Sequence, residues 1–192
     1  TKKRMETIDD EVASMSAAYL EKEVKAGKPV FLWVNFTHMH FRTHAKPESL
    51  GQSGRWQSEY HDAMIDHDKN VGTILDMIEK LGIAENTIIM YSTDNGPHEN
   101  SWPDAGTTPF RSEKNTNWEG AYRVPCMISW PGHIKAGAWS NDIVSHLDML
   151  PTFLAAAGVP DVKEKLLTGY EAAGKTFKVH LDGYNMLPLL TG

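Results

Sequence analysis

The sequence predicts an α/β fold: a mostly parallel sheet with helices packed on both of its faces. Three observations predict it. Residues 30–36 (V-F-L-W-V-N-F) form a near-continuous apolar run, the pattern of a parallel strand buried on both sides. Residues 87–93 (T-I-I-M-Y-S-T) form a second run rich in β-branched residues. Between them, residues 55–81 place Tyr60, Met64, His67, Val71, Ile74, Ile78 and Leu81 on one helical face. Strand, helix and strand at this spacing make a βαβ unit, so the two strands are expected side by side and parallel. Three or four such strands in a doubly wound sheet are expected for the whole chain.

Taken in order, residues 7–25 read as a helix with Ile8, Val12, Met15, Tyr19 and Val24 at helical spacing. Thr7 stands at its N-cap and Asp9, Asp10 and Glu11 enrich its first turn. Gly27 stops it, and Pro29 opens the first strand, whose end delivers Thr37-His38-Met39-His40. A polar loop with Gly51, Ser53 and Gly54 leads into the long helix, which Gly82 ends. Residues 97–123 hold no sustained period, and a loop of that length within a compact domain is usually functional. Residues 124–130 read as a short strand interrupted by Pro125, residues 143–157 as a strand passing into a helix, and residues 184–190 as a last short helix.

Composition narrows the function classes. Of 192 residues, 41% are hydrophobic and 23% charged, as in ordinary globular domains. A net charge of −6 without a long basic run argues against a nucleic-acid surface. No apolar run has the ~18 residues of a membrane span. Lys2, Lys3 and Arg4 precede no apolar stretch of a signal peptide. Cys126 is the one cysteine, so no internal disulfide forms.

The chemistry concentrates at strand ends. Asp94 and Asn95 follow the second strand directly, and ligands of open α/β sheets sit outside such carboxyl ends. A carboxylate beside a carboxamide is a hard-oxygen pair, suited to Ca²⁺ or Mg²⁺. Gly96 turns the chain away, and the same three residues also fit a plain turn. His38 and His40, two apart at the first strand end, are placed to point to one side, with His44 as a third ligand if the group were a zinc module. Lys114, in the long loop, offers a compact cation for an anionic oxygen. His98, Trp102 and Asp104 are candidates for lining a substrate pocket. Arg111 and Arg123 either bind substrate anions or pair with Glu113 and Glu119. His67 reads as a hydrogen-bonded core histidine, and Gly72 as a close-packing position.

The segments F-L-W-V-N-F-T-H-M-H, T-D-N-G-P-H, W-P-D-A-G-T-T-P-F-R-S-E-K, N-W-E-G-A-Y-R-V-P and W-P-G-H-I resemble, in order and spacing, those of the sulfatase (arylsulfatase) family of the alkaline phosphatase superfamily. The resemblance runs from about residue 29 to 160. It implies an alkaline phosphatase-like fold, and hydrolysis of sulfate monoesters by a formylglycine nucleophile and a divalent metal, Ca²⁺ with Mg²⁺ as the alternative. It implies Asp94 and Asn95 as two metal ligands, and His40 and Lys114 as catalytic residues touching the sulfate and its bridging oxygen. His98 is expected to assist in substrate binding. Gly120-Ala121 stands where the family often has Gly-Gly. Members are often periplasmic or secreted, and no residue here sets the compartment.

Part of the family's pattern is missing. Formylglycine arises in a C/S-x-P-S-R motif, whereas Cys126 reads C-M-I-S-W and Ser101 reads S-W-P-D-A. The acidic pair, lysine and histidine that accompany the nucleophile are also missing. Residues 1–192 are therefore expected to be the central and C-terminal part of a catalytic domain, incomplete and inactive alone, without the nucleophile region or the small C-terminal domain. Uncovered apolar surface is expected, with self-association through it. The alternatives are a phosphodiesterase or phosphonate hydrolase of the same superfamily, or a non-catalytic truncated binding module.

Overall fold

The computed structural model describes all of residues 1–192. The chain folds as two compact units, Thr1–Ile128 and Ser129–Gly192. In the first, helices α1 (Lys2–Lys25) and α2 (Glu59–Lys80) pack against each other. A single 3₁₀ turn, Ala84–Asn86, precedes strand β1 (Ile89–Ser92), which pairs with β2 (Cys126–Ser129), and one helical turn, α3 (Glu119–Tyr122), lies between the two strands in sequence.

The face that α1 buries is Asp9, Ala13, Ser16, Ala17 and Leu20, which recur at helical spacing. The expected face is rotated: Met15 is 72% exposed and Tyr19 is exposed as well. Small side chains at 13, 16 and 17 let the helix axes approach, and Asp9 is drawn inward by partners described below. The expected α2 face is closer to the mark, with Tyr60 and Ile78 buried and Met64 exposed. Its acids do work the apolar pattern hides. Asp62 accepts from the amides of Gly51 and Ser53 and from the Ser53 hydroxyl (2.8, 2.9 and 2.6 Å). Asp66, fully buried, accepts from the Lys46 amide and the Ser49 hydroxyl at 2.8 and 2.5 Å. A 45–53 loop without regular structure is thereby pinned to α2. Gly72 is no close-packing position, since a Cβ there would meet nothing.

The strand expected at residues 30–36 joins no sheet. The segment keeps the alternation of extended chain: Leu32, Val34 and Phe36 are half-buried, while Phe31 and Trp33 are 69% and 77% exposed. Trp33 Nε1 donates to Asn35 Oδ1 at 3.1 Å on the exposed side, as period two requires. The mostly parallel sheet is therefore not assembled here: the strands form the β1–β2 pair and a separate hairpin.

That hairpin, antiparallel β3 (Tyr170–Ala172) and β4 (Lys175–Phe177), lies in the second unit. There a 3₁₀ turn (His146–Asp148) runs into α4 (Met149–Ala156), followed by α5 (Val162–Thr168) and, at the end, α6 (Leu187–Thr191). The strand expected at the start of residues 143–157 joins no sheet, and Ile143 is 96% exposed. Ser145 and Asp148 form a capping box, and Asp148 also accepts from the Tyr184 amide at 2.7 Å. Thr152, buried, donates to the Asp148 carbonyl and accepts from the Met186 amide. These bonds, over a small core of Met149, Ala155, Val162 and Leu166, hold the C-terminal segment on α4.

Candidate active site

β1 ends at Ser92, and Asp94 follows it exposed, with Asn95 half-buried. The chain then crosses another main chain at very short range. Gly96 donates to the Ala121 carbonyl at 2.8 Å, and a Cβ on Gly96 would collide with the carbonyl oxygen of Gly120. A Cβ on Gly120 would in turn collide with the carbonyls of Phe110, Arg111 and Ser112. Gly120 itself donates to the Arg111 carbonyl at 2.8 Å. Both glycines are required by space rather than by backbone angle, because neither has a positive φ. Ala121, next to it, is buried with its Cβ accommodated.

One residue further on, the Pro97 carbonyl accepts from the Lys114 amide at 2.9 Å, and Glu113 accepts from the Asn100 amide at 2.8 Å. The loop that carries Lys114 is therefore tied to the segment that carries Asp94, Asn95 and His98. His98 stacks on Phe41 (centroids 5.2 Å apart), and His40 lies against the same Phe41 ring at 4.6 Å. Trp102 Nε1 donates to the Phe41 carbonyl at 2.8 Å, and its ring stacks on Tyr60. Tyr60 OH in turn donates to the Met39 carbonyl at 3.0 Å. Main-chain ties and ring contacts thus link the segment that carries Asp94, Asn95 and His98 to the loop of Lys114 and to the turn of His40.

His38 and His40 do not share a side. His38 is buried and His40 exposed, because Met39 between them takes a left-handed backbone (φ 71°) that breaks the alternation of extended chain. His38 Nδ1 donates to Asp9 at 2.6 Å, and His38 Nε2 lies 3.3 Å from the His44 carbonyl. His44 faces Glu59 instead. No three His, Cys, Asp or Glu side chains gather where they could hold a metal ion, so the zinc module built on His38, His40 and His44 is not formed.

Asp9 is fully buried, and burial opposes its ionisation. The His38 ring, the amides of Thr37 and His38 and the Thr37 hydroxyl outweigh that, holding its carboxyl at about 2. Burial likewise works against charge on His38, and Asp9 more than offsets it, raising the imidazole above its ordinary value. His67, as expected, is a core histidine: its Nε2 meets Tyr91 OH at 2.9 Å, and burial lowers its pKa.

Other candidates resolve into supports. Asp104 accepts from the Ser58 amide and hydroxyl at 2.7 and 2.8 Å, bracing the start of α2. Trp102 anchors its loop. Arg111 lies over the Trp118 ring (4.0 Å), while Arg123 lies over Phe110 and pairs with Glu119 at 3.3 Å. Sequence reasoning passed over Phe41 and read Tyr60 only as part of the apolar α2 face; their roles here arise from tertiary contact. It also passed over Asp9, read as a charge at a helix start when its register on the buried face was the available signal.

Asp94 and Asn95 offer two adjacent hard oxygen donors at this exit. Ca²⁺ takes about six to eight, so these residues alone do not complete a site for it.

The model of the family described as Sulfatase matches residues 1–159. Human arylsulfatase A is 32% identical over 166 residues, spanning 86% of this chain and 29% of the relative. Human N-acetylgalactosamine-6-sulfatase is 31% identical over 186 residues, spanning 93% of this chain and 33% of the relative. The crystal structure of the PsFucS1 sulfatase from Pseudoalteromonas sp. superposes with a TM-score of 0.84 at 30% identity, over 97% of this chain and 35% of that one. The chain spans about a third of the length of these proteins. It belongs to the sulfatase family.

Proposed function

We propose that these residues are part of the active site of a sulfuric ester hydrolase, contributing the groups that grip the sulfate and stabilise the departing oxygen. The observation that supports this reading is that the Lys114 amide bonds to the Pro97 carbonyl, three residues past Asp94, while His98 and His40 share the Phe41 ring. Lys114 supplies a fixed positive charge for a sulfate oxygen, worth most where charge develops in the transition state. His40, exposed and backed by Phe41, donates a hydrogen bond or proton to the bridging oxygen as the ester bond breaks. His98, stacked on the same Phe41 ring, orients the bound ester. Asp94 and Asn95 are two ligands of a Ca²⁺ or Mg²⁺ ion whose other ligands lie outside this chain. The sheet of the complete domain is mostly parallel in this reading, with residues 30–36 as one of its strands.

The attacking nucleophile is not among these residues. Formylglycine needs a C/S-x-P-S-R segment, and none occurs in residues 1–192. The isolated chain is accordingly inactive. The test is expression of the complete coding region that contains residues 1–192, assayed on matched aryl sulfate and aryl phosphate esters. Calcium-dependent sulfate release that falls at least 100-fold in Lys114→Ala and His40→Ala supports the reading. Preference for the phosphate ester, or activity indifferent to both substitutions, overturns it.

A further inference from the structure

We propose that Asp9 is a positioning residue for His40, acting through the main chain of Thr37 and His38 and through the His38 ring. The proposal rests on the reading of His40 as the group beside the leaving oxygen.

A fully buried carboxylate is costly unless donors replace the water it loses. Every donor that Asp9 gains comes from the two residues at the head of the turn that carries His40. The Thr37 amide reaches both oxygens at 2.9 Å, and the Thr37 hydroxyl reaches one at 2.9 Å. The His38 amide and Nδ1 reach the other at 2.8 and 2.6 Å. If Asp9 served only to dock α1, an apolar residue on the same buried face would do so without that cost. What a carboxylate adds is direction: it fixes the two peptide planes from which the chain enters the left-handed turn at Met39.

The far side of the turn is fixed as well. Tyr60 holds the Met39 carbonyl and Trp102 the Phe41 carbonyl, so His40 lies between two gripped peptide groups while its own side chain stays exposed. The charged and titratable groups around His38 are Asp9 from α1, Asp66 and His67 from α2, and its own loop's His44, whose carbonyl it faces. A rigid main chain presenting a free imidazole is the arrangement that positioning for proton or hydrogen-bond donation requires, and displacement by about 1 Å costs on the order of 100-fold in rate.

The experiment compares wild type with Asp9→Asn and Asp9→Glu, using histidine-labelled chain for ring NMR and the complete protein for kinetics. Expected are loss of the slowly exchanging His38 Nδ1 proton in Asp9→Asn, a shifted or split His40 ring signal, an unmoved His67 signal, and kcat reduced about 100-fold at similar KM. Wild-type His40 signals and kcat in a folded but less stable Asp9→Asn overturn the proposal, since Asp9 would then only stabilise the fold. If Asp9→Asn does not fold, Asp9→Glu, which keeps the charge but moves it by one methylene, must displace the His40 signal; an unmoved signal overturns the proposal. Absence of sulfate-ester hydrolysis in the wild-type complete protein defeats the sulfatase reading instead, and the ring spectra still decide whether Asp9 positions His40.

Discussion

Asp9 and His38 give this chain a pH signature that is separable from catalysis. The Asp9 carboxyl sits at about 2 instead of its ordinary 3.8, so its contribution to stability is complete above the ordinary value and is lost as pH falls towards 2. His38 runs the other way. Its pKa is raised above 6.5, so its contribution is complete below that value and is lost as pH rises through the raised one. Stability from this pair therefore peaks between about pH 4 and 6.5. Urea unfolding across the range is expected to show an acid-side loss of about 2 kcal/mol that Asp9→Asn abolishes. A second prediction concerns Gly120. With carbonyls of residues 110, 111 and 112 around the space a side chain would fill, Gly120→Ala is expected to destabilise by 3 kcal/mol or more, roughly, read by the same unfolding measurement. Neither effect is legible in the sequence. An aspartate at a helix start reads as a dipole partner, and only its partners 28 and 29 residues away reveal a buried acceptor. The inversion of His38 and His40 was equally hidden, because methionine does not advertise a left-handed backbone as glycine does.

Helix α2 was the most readable element, since its apolar period runs over most of its length, though its N-cap, Ser58, lies past the expected start at residue 55. Ser58 has two duties: it accepts from the Tyr60 amide at 3.3 Å and donates to Asp104 at 2.8 Å. Ser58→Ala is expected to cost about 1–2 kcal/mol and to loosen the 98–105 segment, visible as faster amide exchange there than in the rest of α2. Segment 30–36 shows the limit of such reading. Its composition announces a strand buried on both faces, whereas Phe31 and Trp33 are exposed and burial alternates; a ladder partner comes from distant sequence and local pattern does not name it. The site was legible to a similar degree. Strand-end chemistry marked Asp94, Asn95 and His40, whereas the ring of Phe41 that brings His40 and His98 together carries no chemical label of its own.

At the scale of the molecule, the first unit leaves two aromatic side chains exposed two residues apart, Phe31 and Trp33. Phe31 and Trp33 lie on one side of extended chain, and solvent-facing extended segments of this kind recruit further strands. We expect the 192-residue chain to self-associate, with sedimentation velocity showing concentration-dependent species that Phe31→Ser together with Trp33→Ser reduces. No helix is long and apolar enough to cross a membrane. The same pair bears on biosynthesis. A nascent chain that displays two aromatic rings on sticky extended backbone invites chaperone capture and co-translational clumping. Recovery from cells will therefore track translation rate and growth temperature more closely than it tracks the melting point of the purified material.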